Sequence, residues 1–134
     1  MFDGYVVDAH ALIWHLEGNP KLGSAARLVM SDPGANLFLP AIALAEACYI
    51  VETGRVMIKS GKVLLHAVDR DPRVQIVPLD RGIIETCLSV RTVSEMHDRQ
   101  IVATAVHLAT GGLTVAILTK DADISASGAV PVIW

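Results

Sequence analysis

Four acids stand at the edge of an apolar segment or inside one: Asp8, Glu46, Asp98 and Asp121. Asp8 closes the run Tyr5-Val6-Val7, and Asp121 follows the run Thr114 to Leu118. Glu46 lies within Ile42-Ala43-Leu44-Ala45-Glu46-Ala47-Cys48-Tyr49-Ile50. An ionised carboxylate in such surroundings costs several kcal/mol unless it is paired or bound to metal. Asp98 opens the stretch His97-Asp98-Arg99-Gln100-Ile101-Val102-Ala103-Thr104-Ala105. Each acid also has an ordinary use. Asp8 can cap a helix, Glu46 can face solvent or an arginine, Asp98 can answer a helix dipole, and Asp121 with Asp123 can shape a turn. Brought together, however, the carboxylates would raise one another's pKa values, and a hard divalent cation such as Mg²⁺ or Mn²⁺ removes that conflict. The two cysteines and five histidines show no zinc spacing. Thr119 is placed either to orient Asp121 through its hydroxyl or to cap the turn.

The elements that must position these acids read as alternating strands and helices. Strands are expected at Tyr5–Val7, Asn36–Leu39, Val74–Val77, Thr114–Leu118 and Val130–Ile133. Helices are expected at Ala9–Glu17, Ser24–Met30, Ala41–Thr53, Ser60–Val68, Arg81–Val90 and His97–Ala109, punctuated by Gly18-Asn19-Pro20, Asp32-Pro33-Gly34, Gly54 and Gly111-Gly112. The strands are short and continuously apolar, the pattern of a parallel sheet covered by helices on both faces. Ligands of such sheets bind outside the carboxyl ends of the strands, where Asp8 and Asp121 fall.

A chain of 134 residues suits one domain, residues 1–134, and 52% apolar content supports a sizeable core. Aromatics are only 4%, so aliphatic side chains must fill it. The net charge of −3 counts against a protein that coats nucleic acid, but less against an enzyme that grips a few phosphates through metal. Cys48 and Cys87 read as buried small hydrophobes rather than a disulfide. No charge-free apolar run reaches membrane-spanning length and no basic signal-peptide start is present, so a cytoplasmic protein is expected.

Four motifs then carry a resemblance over nearly the whole chain. They are Val7-Asp8-Ala9-His10-Ala11-Leu12-Ile13-Trp14; Leu39-Pro40 through Glu46, with Gly54-Arg55-Val56; His97 through Ala105; and Leu118-Thr119-Lys120-Asp121-Ala122-Asp123-Ile124. In order and spacing the chain resembles PIN-domain nucleases, and specifically the VapC-like ribonuclease toxins of toxin–antitoxin pairs. The resemblance implies a three-layer α/β/α fold with a central, mostly parallel sheet of four to five strands. It implies a Mg²⁺- or Mn²⁺-dependent endoribonuclease in which Asp8, Glu46, Asp98 and Asp121 hold the metal and carry catalysis. Thr119 would support the site, with Asp123 as an extra supporting acid. The same resemblance implies an RNA substrate, a small antitoxin partner and a homodimer. Arg99 and Lys120 flank two of the acids and are candidate RNA contacts, with Arg55, near Lys59 and Lys62, as a third. His10 and Trp14, one helical turn apart, are expected to pack together in the interior. The helix pair from Ala41 to Val68 carries more apolar surface than a small sheet readily covers, which fits an interface. The chain departs from the family at Ala9, Ala43 and Ala45, where a Ser or Thr is frequent.

Three other readings fit parts of the pattern. A housekeeping PIN ribonuclease shares fold and metal. A non-catalytic PIN-fold binding module would not need all four acids. A phosphoacceptor domain would want an acceptor Asp on a middle strand; Asp80 follows Val74–Val77, but Pro78 and the helical Glu46 fit poorly.

Overall fold

The computed structural model describes residues 1–134. Along the chain run β1 (Gly4–Val7), α1 (Ala9–Glu17), α2 (Ser24–Ser31), β2 (Leu37–Pro40), α3 (Ala41–Glu52), α4 (Gly61–Asp69), β3 (Val74–Val77), α5 (Arg81–Cys87), α6 (Met96–Thr110), β4 (Val115–Leu118), α7 (Ala122–Ser127) and β5 (Val132–Ile133). Local chemistry accounts for the boundaries. Asp8 caps α1, and Gly18, at φ 64° in the left-handed region, closes it. Ser60 and Asp80 cap α4 and α5, so Asp80 is a structural cap at the start of α5.

The five strands form one all-parallel sheet in the order β3-β2-β1-β4-β5. β1 lies alongside β4 from Gly4↔Val115 to Val7↔Leu118. The chain steps outward from β1 to β2 to β3, then returns past β1 to β4 and continues to β5. Right-handed crossovers therefore lay α1 to α4 on one face and α5 to α7 on the other. The packing agrees: α1 meets α2 and α3, and α3 meets α4, while α6 meets α5 and α7. In addition α3 reaches α6. This is the three-layer α/β/α arrangement expected from the sequence.

The core is aliphatic, with Ile13, Leu37, Leu39, Leu64, Ile83, Ile101, Ile117 and Leu118 fully buried. All four residues of β4 are buried. At the sheet edge, by contrast, Gln75 and Ile76 of β3 are exposed, so strand burial is complete only at the centre. Arg73 ties the start of β3 to the end of α2. Its guanidinium pairs with Asp71 at 2.8 Å and donates to the carbonyls of Met30 (2.7 Å) and Asp32 (2.8 Å).

Several expectations are corrected. α5 stops at Cys87, because Leu88 to Val90 tighten into turns bonded three residues back. α7 is a helix where only a turn was expected; Asp121 caps it and Gly128 ends it. Cys48 and Cys87 are free and half-buried against the core. In the helix pair, Val51 and Leu64 are buried, Ile50, Val56 and Ile58 are half-buried, and Met57 and Val63 are exposed beside Tyr49 and Leu65. No helix is long and apolar enough to cross a membrane.

Candidate active site

β1 sends its chain to one face of the sheet and β4 sends its chain to the other. Between their carboxyl ends the chain opens, as doubly wound sheets do at a topological switch point. Asp8 stands directly after β1; Thr119 and Asp121 stand directly after β4. The second turn of α3 brings Glu46 and the first turn of α6 brings Asp98, where these two helices meet. All four acids line one cleft of about 320 Å³.

A chain of hydrogen bonds fixes its floor. Asp8 has only 8% of its surface exposed. Its Oδ1 accepts the Ala9 N–H at 2.7 Å, and its Oδ2 accepts the Thr119 hydroxyl at 2.6 Å. The Thr119 Oγ1 in turn accepts the Asp121 N–H at 3.1 Å, and Asp121 Oδ1 accepts the Ile124 N–H at 3.0 Å. Thr119 therefore holds Asp121 through its hydroxyl, as the sequence suggested, by way of the Asp121 backbone, and in addition orients the carboxylate of Asp8. It also supplies the hydroxyl that Ala9 lacks.

The carboxylates of Glu46 and Asp98 have no hydrogen-bond partner; His97 pulls against the rise at Glu46, and Asp98 faces only other acids. Burial pushes Asp98 up from its ordinary 3.8 to about 7, with further upward pressure from Asp121, Glu95, Asp8 and Glu46. Burial also raises Glu46, and the neighbouring Asp8 adds to it. Asp8 is raised by burial against the downward pull of Thr119 and Ala9. Glu46 is half-buried because Ala45 and Tyr49, on its side of α3, are exposed. The helix is thus less enclosed than its apolar composition implied, and repulsion contributes alongside burial.

An all-oxygen set of partly buried, mutually repelling carboxylates suits a hard divalent cation. In this arrangement no three side chains close on a common point. The unbonded side chains of Glu46 and Asp98 are the ones free to turn inward.

The remaining candidates are placed as follows. Lys120 is exposed and lines the cleft, with its Nζ 4.6 Å from the Trp14 ring centroid. Arg99 lies outside the lining and donates from Nε to the Val93 carbonyl at 2.7 Å. Arg55 is exposed on the connection between α3 and α4, and Asp123 is exposed in the first turn of α7; neither lines the cleft. Trp14 is buried as expected, with its ring 5.2 Å from that of His10, but His10 is exposed and faces the cleft. Three lining residues escaped the sequence reading: Glu95, His97 and Trp134. Glu95 caps α6, accepting the Asp98 N–H at 2.8 Å and holding His97 Nδ1 at 2.7 Å. That hydrogen bond raises the pKa of His97. The acid three residues before Asp98 was the available signal for this cap. Trp134 reaches the cleft only through the pairing of β5 with β4, which no local pattern announces.

Residues 5–128 match the model of the PIN domain family, and the chain belongs to that family. Among solved structures, it is similar to FitAcB from Neisseria gonorrhoeae, at a TM-score of 0.66 and 20% identity, covering 96% of this chain and 95% of that one. VapBC2 from Rickettsia felis, bound to a DNA fragment from its promoter, gives 0.69 and 13%, with 96% of each chain covered. VapC20 of Mycobacterium tuberculosis, a sarcin-ricin loop cleaving toxin, gives 0.66 and 14%, covering 93% of this chain and 95% of that one. At these identities the likeness is one of fold. A search of curated proteins finds no match to the sequence.

Proposed function

We propose that this chain is a divalent-metal-dependent endoribonuclease and the toxin of a toxin–antitoxin pair, acting in the cytoplasm as a single domain. The observation that carries the reading is the convergence of Asp8, Glu46, Asp98 and Asp121 on one cleft at the switch point of a PIN fold. Likeness to a toxin that cleaves the sarcin-ricin loop supports RNA as the substrate class. The likenesses to VapBC2 and FitAcB, with the motif resemblance to VapC-like toxins, support a small antitoxin partner; the homodimer rests on the motif resemblance alone.

Asp8, Glu46, Asp98 and Asp121 would hold Mg²⁺ or Mn²⁺. Such an ion lowers the pKa of an attacking water and neutralises charge at the phosphodiester. The chain's own groups divide the remaining work. Thr119 and the Ala9 N–H hold Asp8 in one orientation, so its free lone pairs point into the cleft. Asp98 or Asp121 would accept the proton of the attacking water. Lys120 places the only lysine or arginine charge of the lining beside the acids, where a phosphate can meet it.

The test is cleavage of single-stranded RNA with Mg²⁺ or Mn²⁺, against EDTA, by wild type, Asp8→Asn and Asp98→Asn. Cleavage is expected only for wild type with metal. Equal cleavage by either variant, or in EDTA, refutes the mechanism. Growth arrest on expression, relieved by a co-expressed small neighbouring reading frame, tests the toxin assignment.

A further inference from the structure

The acid cleft does not end at the acids. A second cleft continues from it, and the two share Thr119, Lys120 and Trp134. Trp134 therefore stands at the junction of the two clefts and lines both. Its indole is half-exposed and stands edge-on to Trp14 at 5.8 Å. Trp14 in turn carries His10 on one side and the Lys120 ammonium on another. The corner thus presents an aromatic platform beside a fixed cation, at the rim of an otherwise acidic pocket.

Trp134 is held in place closely. A Cβ built on Gly23 would clash with the backbone carbonyl carbon of Trp134 and would lie 2.7 Å from Cδ1 and 2.8 Å from Cγ of its indole, so only glycine fits at position 23 without moving this residue, backbone and ring together. Such close backbone approach pre-sets the platform before any ligand arrives. The lining offers one lysine or arginine and a net excess of acids. The second cleft adds no lysine or arginine besides Lys120, and its other lining is neutral and partly apolar, with Trp134 the only aromatic ring, so a base can meet an apolar face there.

We infer that Trp134, supported by His10 and Lys120, forms a subsite for the nucleotide adjoining the scissile phosphate. The indole stacks on an unpaired base and the Lys120 ammonium takes the neighbouring phosphate. Stacking needs a splayed-out base, so the substrate at this point is single-stranded RNA rather than duplex. The inference rests on the ribonuclease reading for its substrate, but its test does not depend on cleavage.

Two probes separate base from backbone: a short oligoadenylate and an abasic oligomer of the same length. Oligoadenylate is expected to quench the fluorescence of the wild type, and the abasic oligomer is not. Trp14 is buried, so the quenching must vanish in Trp134→Phe, while that variant retains most of the affinity. Trp134→Ala should weaken oligoadenylate binding by about 5- to 150-fold, the range of one base–aromatic stack, and leave abasic binding unchanged. Gly23→Ala, whose methyl would displace the Trp134 backbone and indole together, should lose affinity in the same base-dependent way. Lys120→Ala should flatten the dependence of log K on log salt by about 0.7, one phosphate contact. Quenching that persists in Trp134→Phe, or equal loss for both probes in Trp134→Ala, overturns the subsite. Base-dependent quenching by a wild type that cleaves no RNA would keep the subsite and remove the nuclease reading; cleavage without quenching does the reverse.

Discussion

Replacing Asp98 with Asn should make the metal-free protein more stable while abolishing its activity. The carboxylate of Asp98 has no hydrogen-bond partner to lose, and Asn is nearly the same size. Its pKa is raised in the fold from 3.8 to about 7. A raised folded pKa means that the group favours folding fully below 3.8 and loses that contribution as pH climbs through about 7. That interval corresponds to a ceiling of about 4 kcal/mol at about 1.36 kcal/mol per tenfold. Asp98 is only partly buried, so solvent screening reduces the effect to about 1–2 kcal/mol. For a domain of this size that is a rise in Tm of about 3–8 °C. The assay is thermal or urea unfolding in EDTA of wild type and Asp98→Asn, below pH 3.8 and above pH 7. The variant should match wild type in acid and exceed it in base. Adding Mn²⁺ above pH 7 should reverse the order, because an ion at about 100 times its Kd adds about 2.7 kcal/mol to the protein that binds it. A variant less stable than wild type above pH 7 in EDTA, or a difference that does not change with pH, would refute the account of the site as a repulsive cluster.

Other outcomes follow from the same geometry. Thr119→Val, which removes the donor to Asp8 and the acceptor for the Asp121 N–H, should cost about 1–3 kcal/mol of stability. It should also cost about 10–100-fold in metal affinity or activity, and Thr119→Ser should restore most of both in metal titrations and cleavage assays. Asp121 is at once a cap and a candidate ligand. Asp121→Asn should keep the cap and lose cleavage, whereas Asp121→Ala should also lose about 1 kcal/mol in urea unfolding. On the acid side, the Arg73 hydrogen bond holds Asp71 below its ordinary pKa. Its stabilisation is present above the unfolded value and is lost as pH falls through the folded one. Asp71→Asn should therefore flatten the acid limb of the stability profile, measured as the urea midpoint against pH.

How much of this was legible beforehand depended on range. The strands Val74–Val77 and Thr114–Leu118 announce themselves by unbroken apolar runs, and α1 by its flanking Asp8 and Gly18. Those signals are local, and the structure keeps them nearly to the residue. α7 was missed because six residues rich in Ala and Ser leave no apolar period; only the Asp121 cap and Gly128 mark it. In the site, the four acids were visible because carboxylates among apolar neighbours need a reason. The direction of the Thr119 hydroxyl was not, since its partner Asp8 lies 111 residues away and reaches it only through strand pairing. In sequence His97 is only the first residue of a helix and Glu95 does not stand out, because it is the cap formed by Glu95 that holds both at the rim. Arg99 lay beside an acid in sequence, yet its side chain turns back to Val93, because helical neighbours point in different directions.

The distance between Asp8 and Thr119 also bears on how the protein is made. A growing chain displays Asp8 early and Glu46 soon after, but β1 has no β4 to lie against until Leu118 has been synthesised. The ends of the chain that form the cleft are thus among its most separated contacts, and such contacts are slow to close. At about 5–20 residues per second, several seconds separate the appearance of the first acid from that of the last. During that interval the ribosome holds a polypeptide whose first acids have been made but not yet brought together across β1 and β4. A product halted before β4 has no strand to bring Thr119 against Asp8 and cannot close the cleft.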